Sequence, residues 1–130
     1  MTRARTALVG VAAATVALGM VSAAPAAAKG NRDEVRVSGD CSARADWTLK
    51  AKRRDGGLEM EFEVDSNRVG QRWSFRLVHG GVVVASGFRR TLAPSGSFSV
   101  ERRSGLASRI VTARARNTGN GEVCLATLRV

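Results

Sequence analysis

Beyond residue 33 the chain alternates apolar and polar positions with a period of two, broken at intervals by Gly and Asn. Nowhere does it show the spacing of a long amphipathic helix. The clearest unit runs from Asp46 to Asp65. Trp47, Leu49 and Ala51 alternate with Thr48, Lys50 and Lys52, and Leu58, Met60, Phe62 and Val64 alternate with Glu59, Glu61, Glu63 and Asp65. Between the two runs stands Asp55-Gly56, a pair suited to the positive φ angles of a type I′ hairpin. That tip sets Lys50 against Glu61 and Lys52 against Glu59 on one face. On the other it sets Trp47, Leu49 and Ala51 against Val64, Phe62 and Met60. Opposite charges meet and apolar groups meet; only the Asp46–Asp65 end brings like charges together, and fraying is expected there.

Two further hairpins follow the same logic. Gln71–His79 and Val82–Arg90 flank Gly80-Gly81, with Trp73, Phe75 and Leu77 predicted inward against Val84 and Phe88. Arg109–Asn117 and Glu122–Val130 flank Thr118–Gly121, with Val111, Ala113 and Ala115 inward against Leu128, Ala126 and Cys124. Shorter runs, Glu34–Ser38 and Ser97–Arg102, bring the set to seven or eight strands, and Pro94–Gly96 and Arg103–Ser108 read as connecting loops. Half-buried strands without helices imply an all-β fold, an antiparallel β-sandwich, with a closed barrel as the alternative.

The first 28 residues differ in kind. Arg3 and Arg5 precede an unbroken small and apolar run, Ala7–Val21, and the segment ends in Pro25-Ala26-Ala27-Ala28. These are the three parts of a cleavable secretory signal, with cleavage expected after Ala28 and Ala23 as the competing site. The run is shorter than the ~20 residues of a membrane span, so no transmembrane segment is expected after cleavage. Residues 29–33 then form a short polar leader and 34–130 a single domain, secreted and extracellular or associated with the cell wall. An oxidising compartment makes the remaining cysteines, Cys41 and Cys124, a disulfide with one possible pairing. Closing so long a loop contributes about 4 kcal/mol in the chain-entropy picture.

About one hundred residues, short strands, buried tryptophans and a single bridge together resemble an immunoglobulin-like or fibronectin-like β-sandwich. Trp47 stands only six residues after Cys41 and the chain has no Tyr, so the resemblance is to the architecture and not to antibody domains. The signal segment, the richness in Ala, Gly, Val and Arg, and the stretch from Ala115 to Cys124 resemble small exported proteins of high-GC Gram-positive bacteria. Such a resemblance implies a fold and a destination, and transfers no functional residue.

Candidate chemistry is sparse. His79 is the only histidine, and its place beside Gly80-Gly81 predicts a solvent-facing imidazole at a hairpin tip rather than a catalytic base. Glu59, Glu61, Glu63 and Asp65 share one face of one strand, which suits pairing with Lys50 and Lys52 better than glycoside hydrolysis across a cleft. Asp65–Gly70 contains a fragment of a calcium loop without its later acidic ligands, so a plain turn is expected. No catalytic site, metal or cofactor is implied, and both tryptophans read as core. With the aromatics predicted inward, there is no specific nucleic-acid signal.

Charge adds one positive lead. The chain carries a formal charge of +10, and Arg outnumbers Lys heavily. A GC-rich genome would produce the same skew, and arginine pairs at turns are ordinary solvated groups. The last hairpin is different. Its register turns Arg116–Val123, Arg114–Leu125 and Thr112–Thr127 outward, with Arg129 nearby. Arg114, Arg116 and Arg129 are the candidate anion contacts, and Val123 and Leu125 the candidate apolar ones. The implied function is a secreted, non-enzymatic protein that binds anionic cell-wall or extracellular polymers. The alternative is an extracellular inhibitor or ligand-binding module that meets another protein through a loop.

Overall fold

Each alternating segment forms a strand. A computed structural model describes residues 33–130; the expected signal segment, and the leader up to residue 32, lie outside the described residues. The strands are β1 (Glu34–Asp40), β2 (Asp46–Arg54), β3 (Gly57–Asp65), β4 (Arg72–His79), β5 (Val82–Arg90), β6 (Ser97–Ser104), β7 (Ile110–Asn117) and β8 (Val123–Arg129). They form two four-stranded antiparallel sheets, a first in the order β1-β2-β3-β6 and a second in the order β5-β4-β7-β8. The described residues contain no helix.

The two sheets close on one core. Leu49, Ala51, Met60, Phe62 and Val64 from the first sheet and Trp73, Leu77, Val111 and Cys124 from the second are fully buried. Cys41 and Cys124 are disulfide-bonded, which ties the turn after β1 to β8.

The β2–β3 register is as expected, with Lys50 opposite Glu61 and Lys52 opposite Glu59. Asp55 and Gly56 take positive φ angles of 47° and 77°, as a type I′ tip requires. The expected fraying is absent: Asp46 stays paired with Asp65, because β1 extends to Asp40 and adds a third strand beside them. The β7–β8 register also holds, with Arg114 opposite Leu125 and Arg116 opposite Val123.

The β4–β5 hairpin departs from expectation. Val78 pairs with Val83, but Leu77 pairs with Ala85, so Val84 is an extra residue at a β-bulge. One added residue exchanges the faces of everything beyond it. Phe88, expected inward opposite Trp73, therefore stands opposite Ser74 on the outer face and is 52% exposed. Arg89 takes the inward place instead, its guanidinium 5.1 Å from the centre of the Phe75 ring at the open edge of the sheet.

Candidate functional site

The outer faces of the two sheets are built from different charges. The strands of the first sheet hold eight acidic and seven basic residues. Across β1-β2-β3-β6 the row Glu34, Lys52, Glu59, Arg103 alternates in sign. Glu59 is ion-paired with Arg54 at 3.2 Å and Arg103 at 3.4 Å rather than with Lys52, and Lys50 meets Glu61 at 3.5 Å. The strands of the second sheet hold seven arginines and no acidic residue at all. Among the described residues every ion pair lies on the first sheet.

Register places the arginines of the second sheet. Arg76 on β4 stands directly beside Arg114 on β7, and Ser74 beside Arg116. Arg72 stands beside Arg90 one strand further out. Directly opposed side chains in adjacent strands lie about 5 Å apart at Cβ, where like charges are destabilising. Arg76, Arg114, Arg116, Ser74 and Ser86 line a shallow depression of about 300 Å³, with Phe75 between them at its floor. Beside the depression Phe88 carries the Arg72 guanidinium 3.9 Å above its ring, a cation–π contact.

Of the residues singled out from sequence, Arg114, Arg116 and Leu125 are exposed together on this face, whereas Val123 is half-buried. Arg129 is exposed but stands opposite Ile110, four residues along β8 from Leu125 and thus about 13 Å away. It is a neighbour of the cluster and not a member. Arg76, Arg72 and Arg90 were not legible as members, because the β4–β7 pairing that assembles them joins distant parts of the chain.

His79 is corrected most sharply. It is wholly buried, with Nδ1 2.7 Å from the Ser104 hydroxyl and Nε2 2.7 Å from the Ser108 carbonyl. A carbonyl only accepts, so Nε2 donates to it, and Nδ1 shares its hydrogen bond with the Ser104 hydroxyl. A hydroxyl, an imidazole and an orienting acceptor in a row have the outline of a nucleophile and its base. Here the Ser104 Oγ also accepts the Leu106 N–H at 3.3 Å, and the ring has no exposed surface. The three groups hold the segment after β6 against the end of β4. The inward parity of Trp73, Phe75 and Leu77 already extends to residue 79, which was the overlooked signal.

Glu122 was also missed. It is buried, and its Oε2 accepts the N–H groups of Ala43 at 3.0 Å and Ala45 at 2.8 Å. Beside it Ser42 N–H donates to the Val123 carbonyl, and Val123 N–H donates to the Ser42 hydroxyl. Together with the disulfide, these bonds fasten the β1–β2 turn to the start of β8. At the same end of the first sheet Asp65 Oδ1 accepts the Asn67 N–H, so the calcium-loop fragment is an Asx turn. No helix among the described residues is long and apolar enough to cross a membrane. Comparison with protein-family models, with curated proteins and with solved structures finds no match.

Proposed function

We propose that this is an exported, non-enzymatic protein that binds anionic polymers of the cell envelope or its surroundings through the outer face of the second sheet. One observation carries the reading: four strands with seven arginines and no acidic residue, set against a first sheet that neutralises itself. A codon bias toward arginine raises Arg everywhere, and it does not empty one sheet of Asp and Glu. Opposing Arg76 to Arg114 without a counter-charge weakens the isolated fold, and an external anion offsets that repulsion. The face is broad and shallow, which favours a polymer over a small molecule held in a cleft.

The reading of export rests on the composition of residues 1–28 and on the disulfide, a bond typical of oxidising compartments. An immunoglobulin-like class is supported by two antiparallel sheets in which β6 returns to lie beside β3 and β7 beside β4.

Retention on anionic cell-wall polymer or a heparin-type resin tests the function. Binding falls with rising salt as counterions compete. Replacing Arg114 and Arg116 by Ser lowers retention more than replacing Arg53 and Arg54 by Ser, although each removes two charges. Equal losses would reduce the effect to net charge and end this reading.

A further inference from the structure

We infer that the depression between β5, β4 and β7 is a discrete phosphate subsite, and that the polymer this face takes is linked by phosphodiesters through a sugar or polyol. The inference rests on the reading of the face as polyanion-binding and names the anion.

The argument is one of donor geometry. Arg76, Arg114 and Arg116 enter the depression from two strands, and the hydroxyls of Ser74 and Ser86 enter from β4 and β5. A carboxylate is planar and one bidentate guanidinium satisfies it. Three guanidiniums and the Ser86 hydroxyl, arriving from three strands, suit an anion whose oxygens point in several directions, and the Ser74 hydroxyl, which otherwise makes a long 3.5 Å bond to the Arg116 carbonyl, can turn to join them. A tetrahedral phosphate is such an anion. No carboxylate on these strands competes for the donors. The depression, about 300 Å³, has room for one phosphate and its flanking unit.

The surroundings point to a polymer. Arg72 and Arg90 form a second arginine pair across β4 and β5. Arg72 lies four residues along β4 from Arg76, about 13 Å at the rise of a strand. A chain held at the depression can place another phosphate there, and the second contact is then intramolecular. The aromatic content argues against nucleic acid. Binding of single strands stacks successive bases on exposed rings. Phe88 is the only exposed aromatic among the described residues, and the Arg72 guanidinium already lies over it at 3.9 Å.

The test compares three polyanions of matched charge and length at one ionic strength: poly(glycerol phosphate), polygalacturonate and an oligothymidylate. Inorganic phosphate is titrated separately by NMR. We expect poly(glycerol phosphate) to bind at least tenfold more tightly than the other two. Phosphate alone should shift the Ser74, Arg76, Ser86 and Arg114 signals saturably. Arg76→Ser with Arg114→Ser should abolish both results, while Arg102→Ser with Arg103→Ser should change affinity less than twofold. Arg76→Lys with Arg114→Lys keeps the charge and removes the fork, so it should erase the preference for phosphate and leave general attraction. This second pair decides the matter if the serine pair fails to fold. Equal affinity for polygalacturonate, or no saturable phosphate shift, would overturn the subsite and leave the face reading standing. Preference for the oligothymidylate would overturn the polymer class. Equal losses from the serine pairs on the two sheets would overturn the face reading itself.

Discussion

The two sheets bury their inner faces by the same alternation and treat charge on their outer faces in opposite ways. On the first, Glu59 answers Arg54 and Arg103, and Glu61 answers Lys50 although it also stands opposite Glu101. On the second, Arg76 and Arg114 are neighbours with no acid on any of the four strands. One chain therefore contains both the solution to like-charge repulsion and a place where that solution is absent. The proposed function assigns the unmatched arginines of the second sheet to a partner outside the fold.

The largest effect expected from probing this contrast is at Glu122, the one carboxylate bordering the second sheet. Its charge points inward to two backbone N–H groups, so Glu122→Ala leaves the buried Ala45 N–H and the part-buried Ala43 N–H without their partner. The cost should be roughly 2–4 kcal/mol in denaturant unfolding. Retention on an anionic resin should not change after allowance for the fraction folded. A large gain in retention would mean that Glu122 already moderates the basic face.

Next in size are two charge reversals with opposite signs. Glu59→Lys sets a cation among Lys52, Arg54 and Arg103 and should cost about 1 kcal/mol, with resin binding nearly unchanged. Arg114→Glu places an acid beside Arg76 and should stabilise by about 0.5 kcal/mol while weakening binding severalfold. Two losses of similar size would dissolve the distinction between the sheets. Lys50 is a poorer probe, since it stands between Arg36 and Glu61 and its reversal exchanges one good contact for another.

The smallest effect lies where the first sheet is itself unmatched. Asp40, Asp46 and Asp65 stand abreast on β1, β2 and β3. The Asp46 carboxyl is held above the usual carboxylate range, chiefly by its hydrogen bond to Asp40 and further by desolvation and the neighbouring acids. A folded-state value above the unfolded one means that the folded protein takes up the proton more readily. The repulsion is therefore fully present above the folded value and relieved as pH falls below the unfolded one. Asp46→Asn should raise Tm at pH 7, and the gain should vanish below about pH 4. A gain that persists in acid would trace the effect to packing instead.

Local patterning made much of the fold legible. The type I′ tip at Asp55-Gly56 fixed the β2–β3 register, and the inward cysteine fixed that of β7–β8. Three successive valines, Val82–Val84, hid the bulge, because any of them could be the unpaired residue without breaking the apolar pattern. The basic face was half legible. Arg114 and Arg116 follow from a hairpin, whereas Arg76 joins them only through a pairing between distant strands, which alternation does not encode. His79 departs from its expected place at a hairpin tip, and Glu122 carried no expectation. Glycines and polar residues flank them, yet His79 shares the parity of the buried residues of β4 and Glu122 that of the buried residues of β8, which starts one residue later.

The bulge at Val84 gives the β5 edge a property of counting. From Ala85 onward, which residue meets solvent depends on how many residues separate it from the Leu77–Ala85 pair. Deleting the unpaired valine keeps that pair and leaves Phe88 opposite Ser74. Inserting one residue after Ala85 would leave every later side chain unchanged in sequence and reverse its surroundings. Phe88 would turn toward Trp73, Arg89 would move to the outer face, and Arg72 would lose the ring it now covers. Gain of a single codon would thus exchange the aromatic element of this surface for a further cation. An insertion in β5 would alter this surface more abruptly than any substitution at its arginines.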